Sequence, residues 1–497
     1  MSQWSRKTKP LSVDISAAAR YEQPWATMAM DKWMVSQGSL LEGHVATDRP
    51  DMLTPYNSRY SADVPGLTAY GGMGLFIAFT QKLGLAKVLG QHLQWPKRAS
   101  VYNPIQLAEC TVDAIACGIN RISNTDLLKG DPLLPAARGL TRFPDHATLH
   151  RFITDFDTPR VAQVHTSEHI LFKAANQPVR VTRVTLDFDA TDSVVYGAQE
   201  EAAFGHKNSR DGHREYAIET AILGGSKDIV NHHLRRGNLN SSPLFPGFLK
   251  ETLGLLPRKM CVGLIRMDAG YFSVANMQAL DATKIPYLMG CTTYTFLLDK
   301  AYAQDNWRRI SPDEEVCEVR HAFKDRVERR ILIARHPDPK KTKPKDNVQP
   351  VLLVVEASGR DLYKHFACVA GRLEHRGVNS LWQSYAGRSN MENAIKESKL
   401  GFGLESIPSK SFSANQAYVA FVVLTYNLMN WFKRHTFGDD PLGRRLAKAV
   451  RQWLLAVPAI VERHADHWQV RLAHNHPSLS LFQHIQAYLT KGMPLVT

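Results

Sequence analysis

From residue 66 to about 157 the apolar positions recur at three- and four-residue intervals, the spacing of amphipathic helices. LTAYGGMGLFIAFTQKLGLAKVLGQHL reads as helix with Gly-containing breaks. NPIQLAECTVDAIACGI reads as a second helix, with Asn103 as its cap, Pro104 in the first turn and Gly118 near its end. ISNTDLLKGDPLLPAARGL predicts a short helix followed by breaker residues, and FPDHATLHRFITDF another helix. Near residue 181 the period becomes two. In VTRVTLDFDATDSVVYG, Val184, Leu186 and Phe188 alternate with Thr185, Asp187 and Asp189. REYAIETAILGG and DIVNHHLRRG follow as strands, SSPLFPGFLKETLGLL as a helix, MCVGLIRMDAG as a buried strand, SVANMQALDAT as a helix and IPYLMGCT as a strand. Three meandering strands followed by alternating helices and strands predict a mixed α/β sheet.

The flanking segments break this rhythm. Residues 1–60 are polar, contain Pro and lack periodicity, and read as an arm that orders on binding. Residues 292–349 combine aromatics with a dense charged run and predict a partly β insertion, with PDPKKTKPKD as an exposed loop. VQPVLLVVEAS then resumes a strand, and helical spacing returns at about 380–399 and 411–434. The tail, 436–497, reads as basic amphipathic helices such as LGRRLAKAVRQWLLAV.

Composition narrows the class. The chain has 497 residues, 44% hydrophobic and 22% charged, which excludes a disordered chain, a collagen-like chain and a coiled coil. No run of about 18 apolar residues occurs, so no membrane span is expected. No apolar run follows the basic start MSQWSRKTKPLSVDIS, so no secretory signal is expected. The 6 cysteines stand singly without a CxxC, which suggests neither a zinc ribbon nor a disulfide framework and fits a reducing cytoplasm. Lys+Arg number 61 against 47 Asp+Glu, for a net charge of +14. Such a surface attracts polyanions, and nucleic acid is favoured over a membrane because no anchor or lipidation motif is evident.

Three acidic contexts stand out. Strand alternation places Asp187 and Asp189 on one face of an apolar strand, where a carboxylate is costly unless paired or metal-bound. Asp268 ends the apolar run LIRMDAGYF, with Gly270 after it to let the backbone turn; an ordinary helix cap is the plain alternative. In SLWQSYAGRSNMENAIKESKL, Tyr385, Arg388, Glu392 and Lys399 fall within an arc of about 60° on one helix at ~100° per residue. Ile395 flanks the same side and Lys396 lies close to the stripe. Carboxylates without His or Cys partners suit hard cations such as Mg²⁺ or Mn²⁺, and two such ions can clamp the attacking and leaving oxygens of a phosphodiester.

The strand order, the DxT-containing first strand, the RxDxGYF turn and the Y-x2-R-x3-E-x6-K helix resemble the DDE transposases of bacterial insertion sequences. More narrowly, they resemble the YREK-signature group of the insertion-sequence-1380 type. The resemblance extends to GINRISNTDLLKGDPLL and HATLHRF before the core and to FSANQAYVAFVVLTYNL after it. It implies an RNase H-like mixed-sheet core with a β-rich insertion, to which the helical spacing adds a helical N-terminal domain and a helical C-terminal tail. It implies Asp189, Asp268 and Glu392 as ligands of two Mg²⁺ or Mn²⁺ ions, and Tyr385, Arg388 and Lys399 as contacts to transposon-end DNA. Asp187 stays open as an alternative first ligand; Asp189 is favoured by the Ala-Thr that follows it, with Thr191 ordering the site.

The expected domains are an arm at 1–60, a helical DNA-binding domain at 61–180, core segments at 181–291 and 350–435 flanking the insertion at 292–349, and a basic helical region at 436–497. The expected activity is cut-and-paste transposition at terminal inverted repeats, by a homodimer on double-stranded DNA associated with a bacterial nucleoid. A catalytically inactive DNA-binding relative and a nuclease without strand transfer are the competing readings. His464, His467, His474 and His476 lack a supporting shell for a metal, and His232 and His233 face opposite ways on a strand. GGMG at 71–74 and GFG at 401–403 lack the strand and lysine of a phosphate loop.

Overall fold

In the computed structural model the period-two segments assemble into a nine-stranded mixed sheet, and the helical segments gather around one long apolar helix. The structure describes residues 59, 61–95, 101–177, 180–205, 212–239, 241–338 and 359–491. The chain divides into two units, residues 1–64 and 65–497, and the fold described is that of the second. The expected arm at 1–60, the loop residues 339–346 and the expected strand VQPVLLVVEAS lie outside the described residues, Arg59 excepted.

A two-residue strand β1 (Leu67–Thr68) precedes helices α1 (Met73–Leu83), α2 (Leu85–His92) and α3 (Pro104–Ala116). Asn103 and Gln106 close a capping box on α3, each side chain accepting from the other's backbone N–H. Ile122–Leu128 is a 3₁₀ turn rather than an α-helix, and α4 (Leu133–Arg138) forms where breaker residues were expected. Arg138 explains α4: its guanidinium is held by Glu109 at 2.6 Å and Asp113 at 2.7 Å on α3, a buried charge network. α5 (His146–Thr154) follows as expected. α6 (Thr158–Ala175) is an additional helix, started by Asp157, whose side chain accepts from the Arg160 N–H. Its buried face includes Ser167 and Glu168, so the apolar period that identifies a helix is blurred.

The sheet begins with β2 (Thr182–Val195), β3 (Arg214–Leu223) and β4 (Ile229–Arg236), an antiparallel meander. Helix α7 (Ser241–Leu255), β5 (Met260–Met267), helix α8 (Val274–Thr283) and β6 (Tyr287–Cys291) follow, with β5 and β6 parallel to β2. The segment 292–349 contributes α9 (Thr295–Gln304), β7 (Arg308–Ser311), β8 (Glu314–Ala322) and β9 (Glu328–Pro337), and its strands extend the same sheet. β10 (Tyr363–Gly371), which pattern reading did not single out, pairs antiparallel with both β6 and β9. The strand order is β4-β3-β2-β5-β6-β10-β9-β8-β7.

The stretch expected as one helix at 380–399 is two helices, α10 (Val378–Ala386) and α11 (Ser389–Phe402), separated at Gly387 and Arg388. α12 (Phe412–Thr436) is the axis of the larger core: Ala417–Phe432 is buried without interruption, and it packs on α1, α3, α5, α6 and β4. A helix apolar all round belongs inside a core. Val378, Leu381 and Trp382 of α10 instead cover a second core on Leu288, Val316 and Leu332.

The expected helical C-terminal tail is corrected. A 3₁₀ turn, α13 (Ala447–Val450) and a π turn at Arg451–Leu455 lead into the hairpin β11 (Ala459–Arg463) and β12 (Trp468–Leu472), which pairs with β1 to make a second, three-stranded sheet. α14 (Leu479–Lys491) closes the described chain. Pro458 cannot continue a helix, and AIVER and WQVRL are each short enough for a strand to be overlooked. Among the described residues no single helix is long and apolar enough to cross a membrane; the bent pair α1–α2 passes on length and composition, and its apolar face lies in the core.

Candidate active site

The site is laid out by the parallel register of β2 and β5. Asp187 is paired with Arg266 and Phe188 with Met267, so Asp189 comes to lie beside Asp268, the residue after β5. The motifs D-x-D and R-x-D thus stand side by side on adjacent strands, with alternation sending both pairs to one face. Asp187 is fully buried, and Arg266 donates through Nε to Oδ1 at 2.6 Å and through Nη2 to Oδ2 at 2.7 Å. Both carboxylate oxygens are therefore occupied by a bidentate guanidinium. The third arm of Arg266, Nη1, donates to the carbonyl of Ser384 at 2.6 Å and so fixes the end of α10 over the sheet.

Asp189 accepts from the Ala190 N–H at Oδ1, 2.9 Å away, and its Oδ2 faces Nη1 of Arg388 at 3.5 Å. Burial, reinforced by the negative charge of Asp268, pushes the Asp189 carboxyl up to about 7; Arg388 opposes that rise. Asp268 accepts from the Gly270 N–H at 2.9 Å, so it is the cap of a short 3₁₀ turn and also a wall of the cleft. Glu392, exposed in the first turn of α11, accepts from Nη2 of Arg388 at 2.7 Å. Asp189, Asp268 and Glu392 line one cleft of about 460 Å³, together with Thr191, Arg388, Lys396 and Lys399.

The expected single helix stripe is redistributed by the break at Gly387. Arg388 is the N-cap of α11 and bridges Asp189 to Glu392. Lys399 donates to Glu405 at 2.6 Å and to the Asp192 carbonyl at 3.0 Å, and lies in the cleft wall. Tyr385 lines a smaller adjoining pocket with Arg388 and Glu392. Its hydroxyl sits against Gly290 of β6, where an added Cβ would lie 2.5 Å from that oxygen and 2.6 Å from the Ala269 nitrogen. Burial raises its phenol above the ordinary range. A second groove of about 850 Å³ shares Lys399, Leu400 and Glu405 with the cleft and runs past Asp192 and Tyr196 to Arg121 and His150 in the helical segment.

Three carboxylates around one cleft, one of them raised by burial and by its neighbour, form an oxygen donor set suited to hard divalent cations. Arg266 stood in the R-x-D-x-G-Y-F motif without an assigned role, and Gly290 was not singled out. Arg266 could have been found by aligning R-x-D with D-x-D as neighbouring strands; Gly290 had no signal without the strand order.

A family model described as "Transposase DDE domain group 1" matches residues 59–494. No curated protein matches the chain. Among solved structures, the chain is similar to "Cryo-EM structure of piggyBac transposase synaptic complex with hairpin DNA (SNHP)" over 77% of this chain and 79% of that one, at 11% identity and a TM-score of 0.43.

Proposed function

The chain belongs to the transposase DDE domain group 1 family, and from that premise we propose that it excises and reinserts a DNA element by cutting at terminal inverted repeats. Membership makes it an enzyme of DNA transposition. The finer reading is ours: a YREK-signature, insertion-sequence-1380-type transposase with an RNase H-like core and a homodimer on paired ends. The order of the first five strands, an antiparallel meander followed by two strands parallel to β2, supports the RNase H-like reading.

The observation that carries the proposal is the convergence of Asp189, Asp268 and Glu392 on one cleft. These residues would hold two Mg²⁺ or Mn²⁺ ions. Bound ions of this kind activate a water for attack and stabilise the attacking and leaving oxygens of a phosphodiester. Asp187 is set aside as a ligand because Arg266 takes both its oxygens. Arg388 stands between Asp189 and Glu392 and is placed at the cleft wall to grip a phosphate of the cleaved end. Lys399 contacts the same end along the shared groove, and Tyr385 borders it from the adjoining pocket. Residues 61–180 and the arm at 1–60 are assigned recognition of the end sequence.

The test is a strand-transfer assay with pre-cleaved end DNA in Mg²⁺. Wild type joins the ends to target, and Asp268→Ala and Glu392→Ala bind the ends without joining them. Cleavage without joining by wild type favours a plain nuclease; binding without either favours an inactive DNA-binding relative.

A further inference from the structure

We propose that His165, Glu168 and His232 form a zinc-class divalent cation site that ties helix α6 to the sheet's edge strand β4, separate from the carboxylate cleft. His165 and Glu168 are one turn apart on α6, and His232 reaches them from β4. Glu168 Oε2 lies 3.1 Å from His165 Nδ1 and 3.2 Å from His232 Nε2. The three donor atoms all lie within 4.8 Å of one another, and the two imidazole centroids are 4.7 Å apart. Tetrahedral ligands at ~2.0–2.2 Å from zinc stand roughly 3.4 Å from one another, so only small adjustments are needed.

The charge balance asks for a cation. Glu168 is 5% exposed and His232 3%. Among the described residues the ion-pair partners of Glu168 are these two histidines, with no Lys or Arg. A buried carboxylate with no Lys or Arg to answer it is costly alone, and one carboxylate with two imidazoles is a borderline-metal ligand set. His232 Nδ1 has no hydrogen-bond partner among the described residues. The sequence hides this site because its third ligand lies 64 residues beyond Glu168.

The full-length protein, stripped with EDTA and desalted, is titrated with ZnCl₂ in excess Mg²⁺, and retained zinc and the melting temperature are measured. Wild type and Asp268→Ala are expected to retain one zinc per chain and to melt higher with it. Glu168→Gln and His165→Ala are expected to lose both the zinc and the melting shift. His165 is the less buried ligand, at 22% side-chain exposure, so its variant carries the comparison if Glu168→Gln fails to fold. The proposal is overturned if wild type retains no zinc, which leaves a hydrogen-bonded His–Glu–His cluster only. It is equally overturned if His165→Ala retains as much as wild type, or if Asp268→Ala alone loses it.

Discussion

Asp187 and Arg266 face each other across the parallel pair β2–β5, and the guanidinium fills both oxygens of the carboxylate while its remaining nitrogen holds the Ser384 carbonyl. One buried ion pair therefore joins β2, β5 and the end of α10, next to the break at Gly387 beyond which α11 carries Arg388 and Glu392. It gives the two aspartates of D-x-D different work: Asp187 ties elements together, and Asp189 opens onto the cleft.

That division predicts opposite phenotypes. Asp187→Asn leaves a buried Arg266 unpaired and should lower stability by about 3–5 kcal/mol, the usual cost of breaking a buried pair from one side. Asp189→Asn removes a charge that burial and Asp268 already disfavour, so it should melt no lower than wild type in metal-free buffer while losing DNA cleavage. Melting curves and cleavage assays on both variants decide it; an active Asp189→Asn would restore Asp187 as the candidate ligand.

The carboxylates were legible because strand alternation and register act through near neighbours. Residues two apart share a face, and R-x-D falls beside D-x-D once two apolar strands are taken as adjacent. Other features depended on partners distant in the chain. α6 was obscured because Ser167 and Glu168 occupy its buried face, Glu168 answered by His232 from β4. The two-helix elbow turns on Gly387, where an added Cβ would meet Nη1 of Arg266 at 2.8 Å. Helical spacing continues through that point in the sequence, so only the packed neighbour reveals the break. β10 gained its place from pairing on both sides, with β6 and β9, which no local pattern encodes.

Stability should respond to pH with a sign that metal reverses. The folded-state carboxyl of Asp189 is raised to about 7, above its unfolded value near 4. Between those values the folded chain holds the extra proton, so this group's contribution falls as pH rises towards 7, by at most about 1.4 kcal/mol per pH unit. Above 7 the ionised aspartate repels Asp268, so the proposed divalent cations should bind more strongly. Melting temperatures from pH 5 to 8 should show the Mg²⁺-induced rise growing with pH in wild type and flattening in Asp189→Asn. A rise independent of pH would remove Asp189 from the cation site.

Gly290→Ala tests how tightly the site is backed. Its Cβ would lie 2.6 Å from the Ala269 nitrogen and 2.9 Å from the Asp268 carbonyl carbon, and backbone at that distance must move. Overpacking of this kind costs about 1–3 kcal/mol. Because the displaced backbone carries Asp268, cleavage should fall further than stability does. An alanine variant that melts lower but cleaves normally at low temperature would show that the Asp268 turn tolerates the shift.

Arg388 compensates Asp189 and Glu392 in the structure, and the proposed function has it grip a phosphate of the DNA end. Arg388→Ala should therefore melt lower than wild type without divalent metal, since Asp189 and Glu392 lose their shared partner, and Mg²⁺ should restore most of the difference. With Mg²⁺ present, its binding to end DNA should weaken and the slope of log affinity against log salt should flatten by about 0.9, the contribution of one phosphate contact. Arg388→Lys should recover the salt slope yet only part of the metal-free stability, because an ammonium cannot span two carboxylates as a planar fork does. If Arg388 serves folding alone, the melting difference persists in Mg²⁺ and the salt slope of the alanine variant equals that of wild type. Measuring both quantities on the same two variants separates a residue that changes partners from one that only holds the elbow in place.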